Sequence, residues 1–231
     1  ALAASMPMTA QNLVKGNYGY LYCHMSDKGE WTAYAISRDG YNYQDINSGN
    51  PIFNPEEHAR IEGGTRDAYI TRMHNGKGYI MVTTDIGAQE SQIGQYGIDF
   101  LKSDGLYHML IKKEGGKSGI FTATSKYLTH GWGAPVDDDF VSFEGSKLTE
   151  EFAFQLIGDD TWRVTYIQYS DHPKHYRICK ADKYLRNFSD PVDVKGVTAP
   201  QHGSFMRITR KEYKKLLKWN QELKNPQIRN L

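Results

Sequence analysis

The sequence has no long apolar run, almost no net charge and few cysteines, and each shortage excludes a class of protein. A membrane-spanning helix needs about 20 consecutive apolar residues, and no such run occurs in the 231 residues. The formal net charge is +1, so no overall electrostatic field attracts nucleic acid or an acidic membrane. Cys23 and Cys179 are the only two cysteines, too few for a dense disulfide framework. We therefore expect neither a nucleic-acid nor a membrane partner.

Several motifs of common enzyme classes are also missing. The sequence contains no Gly-rich phosphate loop, no Cys/His metal-binding spacing and no Gly-x-Ser-x-Gly elbow. Aromatic residues, in contrast, make up 13% of the chain, with sixteen Tyr and four Trp. This abundance fits either a tyrosine-rich all-β core or a surface on which sugar rings stack.

Short aromatic and apolar stretches recur along the chain between Gly, Asp, Asn and Pro residues. Residues 18–25 and 31–37 form one such pair, and residues 67–70 and 78–83 form another. A strand-only repeat of roughly 40 to 50 residues is typical of β-propeller blades, and closing the ring removes exposed sheet edges. Four repeats are recognisable. We predict an all-β fold, a single β-propeller domain over 1–231, with 1–15 as a tail or closing strand.

One helix is predicted near the end of the chain, over residues 209–224. Thr209-Arg210-Lys211-Glu212 has the pattern of a capping box, in which the Thr hydroxyl and the Glu carboxylate bind the first free amides. Tyr213, Leu216 and Leu217 then supply a partly apolar face. The lysine-rich remainder is the pattern of a solvated face.

Three acidic residues stand at the starts of strands in matching positions of the repeat: Asp67, Asp99 and Glu144. Hydrolysis of a glycosidic bond needs a protonated carboxyl group that donates to the leaving oxygen and an ionised one that activates water or attacks directly. A carboxylate among apolar residues is costly unless it is used or paired. Each acid alone is compatible with a turn cap or an ion pair, but three at matching positions favour a catalytic site.

Four short motifs occur in order along the chain: Arg66-Asp67, Ile98-Asp99, Glu144-Gly145 and His202-Gly203. Their order resembles glycoside hydrolase family 43, the five-bladed arabinosidase and xylosidase propellers. Each motif is short, and the resemblance depends on their order together with the repeat. It extends over nearly the whole chain.

The resemblance implies a role for each matching residue. Asp67 matches the general base, Glu144 the general acid, and Asp99 the aspartate that tunes the pKa of that acid and orients it. His202 matches a histidine near the propeller axis that helps hold a central ion or its waters, and Arg66 is expected to flank the pocket. No cofactor is required, although a structural Ca²⁺ or other ion on the axis is compatible with this family.

The sequence departs from the family pattern in three places. The family usually has a further blade between the base and the pKa-tuning aspartate, but the segment from Asp67 to Asp99 is too short to contain it. Either that blade is missing or the propeller is shortened. Glu150 or Glu151 is an alternative to Glu144 as the acid. Ala68 stands where the family usually has Pro.

Further residues are candidates for substrate binding. Tyr69, Tyr96 and Trp162 are candidate platforms for sugar rings, with ordinary packing as the alternative, and His202 could be an ordinary turn histidine.

We therefore predict an inverting, exo-acting glycosidase on arabinofuranosyl or xylosyl units of plant polysaccharide. Two alternatives remain open: a retaining hydrolase like the fructan-cleaving propellers, and a propeller that binds carbohydrate without cleaving it. The predicted partner is an oligosaccharide or polysaccharide, and the predicted state is a monomer. The small residues of 1–5 resemble the end of a signal peptide and favour an extracellular or periplasmic location, with a cytoplasmic one as the alternative.

Overall fold

The computed structural model describes residues 18–29, 31–54, 63–73, 78–87, 100–102, 105–113, 119–127, 130–134, 149–156, 161–168, 175–182 and 187–225. Within these ranges the chain forms thirteen strands, one 3₁₀ turn at Asn47–Gly49 and one α-helix. The elements are β1 Gly19–Ser26, β2 Thr32–Ser37, β3 Tyr43–Asp45, β4 Gly63–Arg72, β5 Tyr79–Gly87, β6 Phe100–Lys102, β7 Tyr107–Lys113, β8 Gly119–Ser125, β9 Thr149–Leu156, β10 Trp162–Gln168, β11 His175–Ala181, β12 Val192–Asp193, β13 Pro200–Ile208 and α1 Arg210–Lys224. The predicted all-β class with a short C-terminal helix is therefore confirmed.

The strands form antiparallel sheets in which neighbours along the chain are neighbours in space. The described residues contain sheets with the orders β13-β1-β2-β3, β4-β5, β6-β7-β8 and β12-β11-β10-β9. Among the described strands, β13 alone leaves this sequential order, since it pairs with β1. Sequential sheets of this kind are what a strand repeat predicts, while their arrangement as a propeller stays a prediction.

The chain divides into two compact units. One consists of Ala1–Ala88, Gln155–Gly158 and Lys195–Leu231, and the other of Gln89–Phe154 and Asp159–Val194. The single domain predicted over 1–231 stays a prediction.

In the first unit, β1 is hydrogen-bonded on both edges. It pairs with β13 from Gly19 opposite Ile208 to Ser26 opposite Pro200, and its other edge pairs with β2. All residues of β1 except Tyr20 are buried. Because successive side chains point to opposite faces, both faces of this sheet must be covered.

The apolar core of the first unit lies between this sheet, β4 and the helix. Its buried members are Leu21, Cys23, Ile36, Ile46, Ala68, Ile70 and Ile208. The helix contributes Tyr213, Leu216, Leu217, Trp219 and Leu223, which pack against that cluster. These positions recur every three or four residues, so one face of α1 is apolar and the opposite face is charged. Among the described residues, no helix has the length and apolar character needed to cross a membrane.

The predicted capping box at the start of α1 is present and also anchors the helix to the β4-β5 hairpin. Thr209 is the N-cap, and its hydroxyl accepts a hydrogen bond from the Glu212 backbone N–H. The Glu212 carboxylate accepts hydrogen bonds from the Thr209 backbone N–H at 2.6 Å and from Arg72 Nη2 at 2.7 Å. It also accepts one from the Tyr79 hydroxyl. Burial alone would raise the pKa of Glu212, but the bonds from Arg72, Tyr79 and Thr209 outweigh it and lower that pKa to about 2.

We expect the substitution Glu212→Gln to lower the free energy of unfolding at pH 7 by about 1–3 kcal/mol, because the half-buried Arg72 guanidinium loses its charged partner. The pKa of Glu212 is depressed on folding from 4.5 to about 2. The contribution of the Glu212 carboxylate to the free energy of unfolding is therefore complete above pH 4.5 and disappears as the pH falls toward about 2. Urea unfolding of both proteins at pH 7 and at low pH measures this difference.

The same helix offers a control at Glu222, whose pair with Lys218 spans 3.6 Å with both side chains exposed. Glu222→Gln should change the free energy of unfolding by less than about 0.5 kcal/mol. A Glu212→Gln effect that equals the control, or that is as large at pH 2 as at pH 7, would contradict the anchoring role.

In the second unit, the strand β10 is buried at all seven positions. It pairs with β11 from Trp162 opposite Ala181 to Gln168 opposite His175. Arg163, Thr165 and Gln168 are buried there together with the apolar residues. A strand of this kind lies inside its sheet rather than at a solvent-facing surface.

Candidate active site

Asp67 lies on a β-bulge in β4. In the pairing with β5, Arg66 is opposite Thr84 and Tyr69 is opposite Val82. Three residues along β4 therefore correspond to two along β5, and β4 contains one additional residue. The buried positions show the same irregularity, since Thr65 and Ala68 are three residues apart instead of two. Asp67 adopts φ +52°, in the left-handed region that non-glycine residues seldom occupy.

His202 lies on a second bulge, in β13. Met25 of β1 is opposite Gln201, and His24 is opposite Gly203, which leaves His202 as the additional residue. His202 also has a positive φ, +33°. Bulges re-aim side chains, and strained non-glycine residues are concentrated at functional sites.

The two bulges bring Asp67 and His202 into contact. The His202 Nδ1 atom is 2.7 Å from Asp67 Oδ1, and the side chains are 20% and 19% exposed. A carboxylate accepts hydrogen bonds and donates none, so this contact is favourable when Nδ1 carries a proton. The result is an oriented, partly exposed carboxylate.

Close packing of β13 against β1 fixes the position of the His202 bulge. A Cβ atom on Gly203 would lie 2.2 Å from the Cys23 carbonyl oxygen and 2.7 Å from His24 Cα. His24 is fully buried, and burial lowers its pKa to about 4, so the ring is neutral at pH 7. Its Nδ1 then donates to the Met25 carbonyl oxygen at 2.8 Å.

Side-chain hydroxyls attach β4 to its neighbours on both sides of Asp67. Ser204 Oγ accepts a hydrogen bond from the Ile70 backbone N–H at 2.9 Å and donates to the Ala68 carbonyl oxygen at 3.2 Å. Thr65 Oγ1 accepts from the backbone N–H and the hydroxyl of Thr32, at 3.2 and 3.1 Å. Asp67 is therefore flanked by two buried attachment points.

Arg66 and Tyr69 lie close to Asp67 along β4. Arg66 is half-buried, and Tyr69 is 50% exposed. Their positions place a cation and an accessible aromatic ring on the strand that carries the carboxylate. The predicted roles of both residues at a sugar-binding pocket stay predictions.

The other predicted site residues are not brought to this pair within the described part of the chain. Asp99, Glu144 and Tyr96 lie outside the described residues, and the alternative acids Glu150 and Glu151 lie on β9. Trp162 is 5% exposed on β10, which favours the packing role over a sugar-stacking one.

The predicted axial ion is not supported by a ligand cluster in the described residues. No group of three or more His, Cys, Asp or Glu side chains there is arranged to hold a metal ion. The nearest described acidic partner of His202 is Asp67, and one carboxylate with one imidazole does not fit the six to eight oxygen ligands of Ca²⁺. The ion stays a prediction.

The sequence identified Asp67 and His202 separately but not their contact. They are far apart along the chain, and nothing local indicates that they meet. Ser204 was not identified at all. No pattern of residue types around either bulge distinguishes it from a regular strand.

Part of the chain matches a known family. Residues 16–99 match the model of a family described as a probable glycosyl hydrolase domain, related to glycoside hydrolase family 43. The matched segment includes Arg66, Asp67 and Tyr69 and ends at Asp99. The match supports a protein similar to glycoside hydrolase family 43, as the order of the motifs predicts.

Among solved structures, the chain is similar to a novel α-L-arabinofuranosidase from Clostridium thermocellum ATCC 27405. The two are 13% identical with a TM-score of 0.48, and the likeness covers 78% of this chain and 92% of that one. No curated protein sequence matches the chain.

Proposed function

We propose that this protein is a glycoside hydrolase and that Asp67 is its general base. The observation that carries the proposal is the Asp67–His202 contact of 2.7 Å between two bulged strands. Asp67 also lies inside the segment that matches a probable glycosyl hydrolase domain. Two non-glycine residues in the left-handed backbone region are costly to fold. A functional site that must orient a carboxylate explains why both are present and why their side chains meet.

The environment of Asp67 suits the removal of a proton from water. Its side chain is 19% exposed although Oδ1 is buried against His202, so the proposed contact with water is through Oδ2 while the strand holds the carboxylate in place. His202 stabilises the negative charge and fixes the orientation of the oxygen it contacts. A base must lie within hydrogen-bond reach of the proton that it takes, and an immobile carboxylate meets that condition.

In the proposed reaction, Glu144 protonates the leaving glycosidic oxygen while Asp67 activates a water on the opposite side of the sugar ring. Inversion follows, because water attacks opposite to the departing group. Asp99 would keep Glu144 protonated, since a nearby like charge disfavours ionisation. Glu150 or Glu151 replaces Glu144 in the alternative version of the proposal.

The proposed substrates are terminal arabinofuranosyl or xylosyl units of plant polysaccharide. Tyr69, with half of its surface exposed beside the carboxylate, is the proposed stacking platform, and Arg66 the proposed polar contact. No cofactor takes part in the scheme. A monomer acting outside the cytoplasm, where such polymers are found, is the form we propose.

We also propose that the sheets are blades of one propeller. The pairing of β13 with β1 supports this, because a sheet that combines an early strand with a much later one is how a ring of blades closes.

The proposal predicts that the protein hydrolyses p-nitrophenyl α-L-arabinofuranoside or p-nitrophenyl β-D-xyloside with inversion. Proton NMR of the first product identifies its anomer before mutarotation. Glu144→Gln should slow the hydrolysis of oligosaccharides far more than that of the nitrophenyl glycosides, because nitrophenolate leaves without a proton. Glu150→Gln and Glu151→Gln are the matched comparisons.

Three results would each contradict the proposal in a different way. A first product with the retained anomer would favour a retaining hydrolase like the fructan-cleaving propellers. Measurable affinity for oligosaccharide without turnover would favour a carbohydrate-binding module. A larger effect of Glu150→Gln or Glu151→Gln than of Glu144→Gln would move the acid to that residue.

A further inference from the structure

We infer that Ser204 is a positioning residue that holds Asp67 in register with His202. The inference rests on the proposed function, because it assigns to Ser204 the alignment of the proposed base. Ser204 touches neither a substrate nor a reacting atom in this scheme. It acts through the backbone of β4.

The hydroxyl of Ser204 connects two strands that no backbone ladder joins. β13 belongs to the four-stranded sheet, and β4 pairs with β5 in another sheet. Ser204 Oγ nevertheless accepts from Ile70 N at 2.9 Å and donates to Ala68 O at 3.2 Å. Both of these backbone groups therefore point away from β5 and toward β13. A single side chain satisfies them in place of a neighbouring strand.

The position of this connection relative to the two bulges gives it its function. Ala68 immediately follows Asp67, and Ser204 follows His202 by two residues. One hydroxyl thus connects Ala68, next to the Asp67 bulge, to the segment of β13 that follows the His202 bulge. Movement of β4 along β13 would break both hydrogen bonds and would change the distance between Asp67 and His202.

Burial makes the connection costly to lose. Ser204 is 4% exposed, and Ala68, whose carbonyl it binds, is 1% exposed. Water cannot easily replace the hydroxyl, so removing it would leave a buried N–H and a buried carbonyl without a partner. The β4 backbone would then shift to recover these bonds. Misplacement of a catalytic group by about 1 Å can lower a rate by about 100-fold.

The chain contains a matched control for this serine. Ser125 is also 4% exposed, and its hydroxyl likewise accepts from one backbone N–H and donates to one carbonyl. These partners are Tyr127 N at 2.9 Å and His130 O at 2.6 Å, both within its own loop. Ser125→Ala therefore removes the same number and type of hydrogen bonds without affecting β4 or β13.

The test compares Ser204→Ala with Ser125→Ala for kcat, KM and thermal stability on a nitrophenyl glycoside. We expect both to lower the melting temperature by a few degrees. Only Ser204→Ala should lower kcat, by about 10- to 100-fold, with KM changed less than about threefold. Ser204→Thr, which keeps the hydroxyl, should recover most of kcat. If Ser204→Ala does not fold, Ser204→Cys provides the same comparison with a much weaker hydrogen-bonding group.

Two-dimensional NMR of the same variants gives a measurement that does not depend on catalysis. Ser204→Ala should accelerate amide hydrogen exchange at Ile70 and shift the amide resonances of Asp67 and His202, and Ser125→Ala should do neither. Equal kcat for the two alanine variants, or unmoved Asp67 and His202 resonances, would overturn the positioning role and leave the proposed function intact. Failure of the wild-type protein to hydrolyse any glycoside would instead overturn the proposed function, and the resonances would then decide on Ser204.

Discussion

Replacing Asp67 by Asn is expected to lower kcat by about 10²- to 10⁴-fold, the contribution typical of a general acid or base. The amide has the same shape as the carboxylate but cannot take a proton from water. Asn is the suitable replacement for a second reason, because Asp67 adopts φ +52° and Asn tolerates the left-handed region well. The loss of activity should therefore occur without a comparable loss of stability.

A second His–Asp pair in the protein provides the control for this substitution. His175 Nδ1 is 3.2 Å from Asp193 Oδ1, with the Asp193 side chain 47% exposed. Asp193→Asn removes an equivalent contact at a solvated position and should change kcat by less than about twofold. Similar kcat values for the Asp67→Asn and Asp193→Asn proteins would remove Asp67 from the mechanism.

The substitution Gly203→Ala is expected to cause a large loss of stability, about 3 kcal/mol or more. The added Cβ would lie 2.2 Å from the Cys23 carbonyl oxygen and 2.7 Å from His24 Cα, and both are backbone atoms of β1. Side chains can rotate away from such a clash, but a strand hydrogen-bonded on both edges cannot. β13 must therefore separate from β1, which also moves His202 and should reduce activity in whatever protein still folds.

Gly133→Ala is the matched control, because its nearest neighbour would be the Thr124 carbonyl oxygen at 3.9 Å, an ordinary contact. We expect that variant to differ from the wild-type protein by less than about 0.5 kcal/mol. Urea unfolding of the two alanine variants measures the difference. Equal unfolding midpoints would contradict the close approach of β13 to β1.

Features that depend on neighbouring residues were predictable from the sequence. Asp39-Gly40 is a dipeptide typical of turns, and Asp39 Oδ1 accepts hydrogen bonds from Tyr41 N and Asn42 N, both at 2.8 Å. The capping box was identified from Thr209 and Glu212, three residues apart. In both cases a side chain binds backbone groups within its own turn, so the short pattern contains all of the interacting groups.

Features that depend on contact between distant strands were not predictable in this way. Neither bulge changes the residue types on its strand, and Arg66-Asp67 would look the same on a regular strand. The Asp67–His202 contact needs both bulges and the packing of β4 against β13. Trp162 illustrates the same limit, since its residue type is compatible with a sugar platform and with ordinary packing, and only the fold shows that its side chain is buried.

The role of Asp67 is tested most directly by adding azide to the Asp67→Asn protein during hydrolysis of p-nitrophenyl α-L-arabinofuranoside. Azide is a nucleophile that needs no base, so it can attack the anomeric carbon from the side where Asp67 would activate water while nitrophenolate departs. We predict that azide restores turnover and that the product is the glycosyl azide of inverted configuration. Turnover that stays at the level without azide, or an azide product of retained configuration, would contradict the assignment of Asp67 as the base.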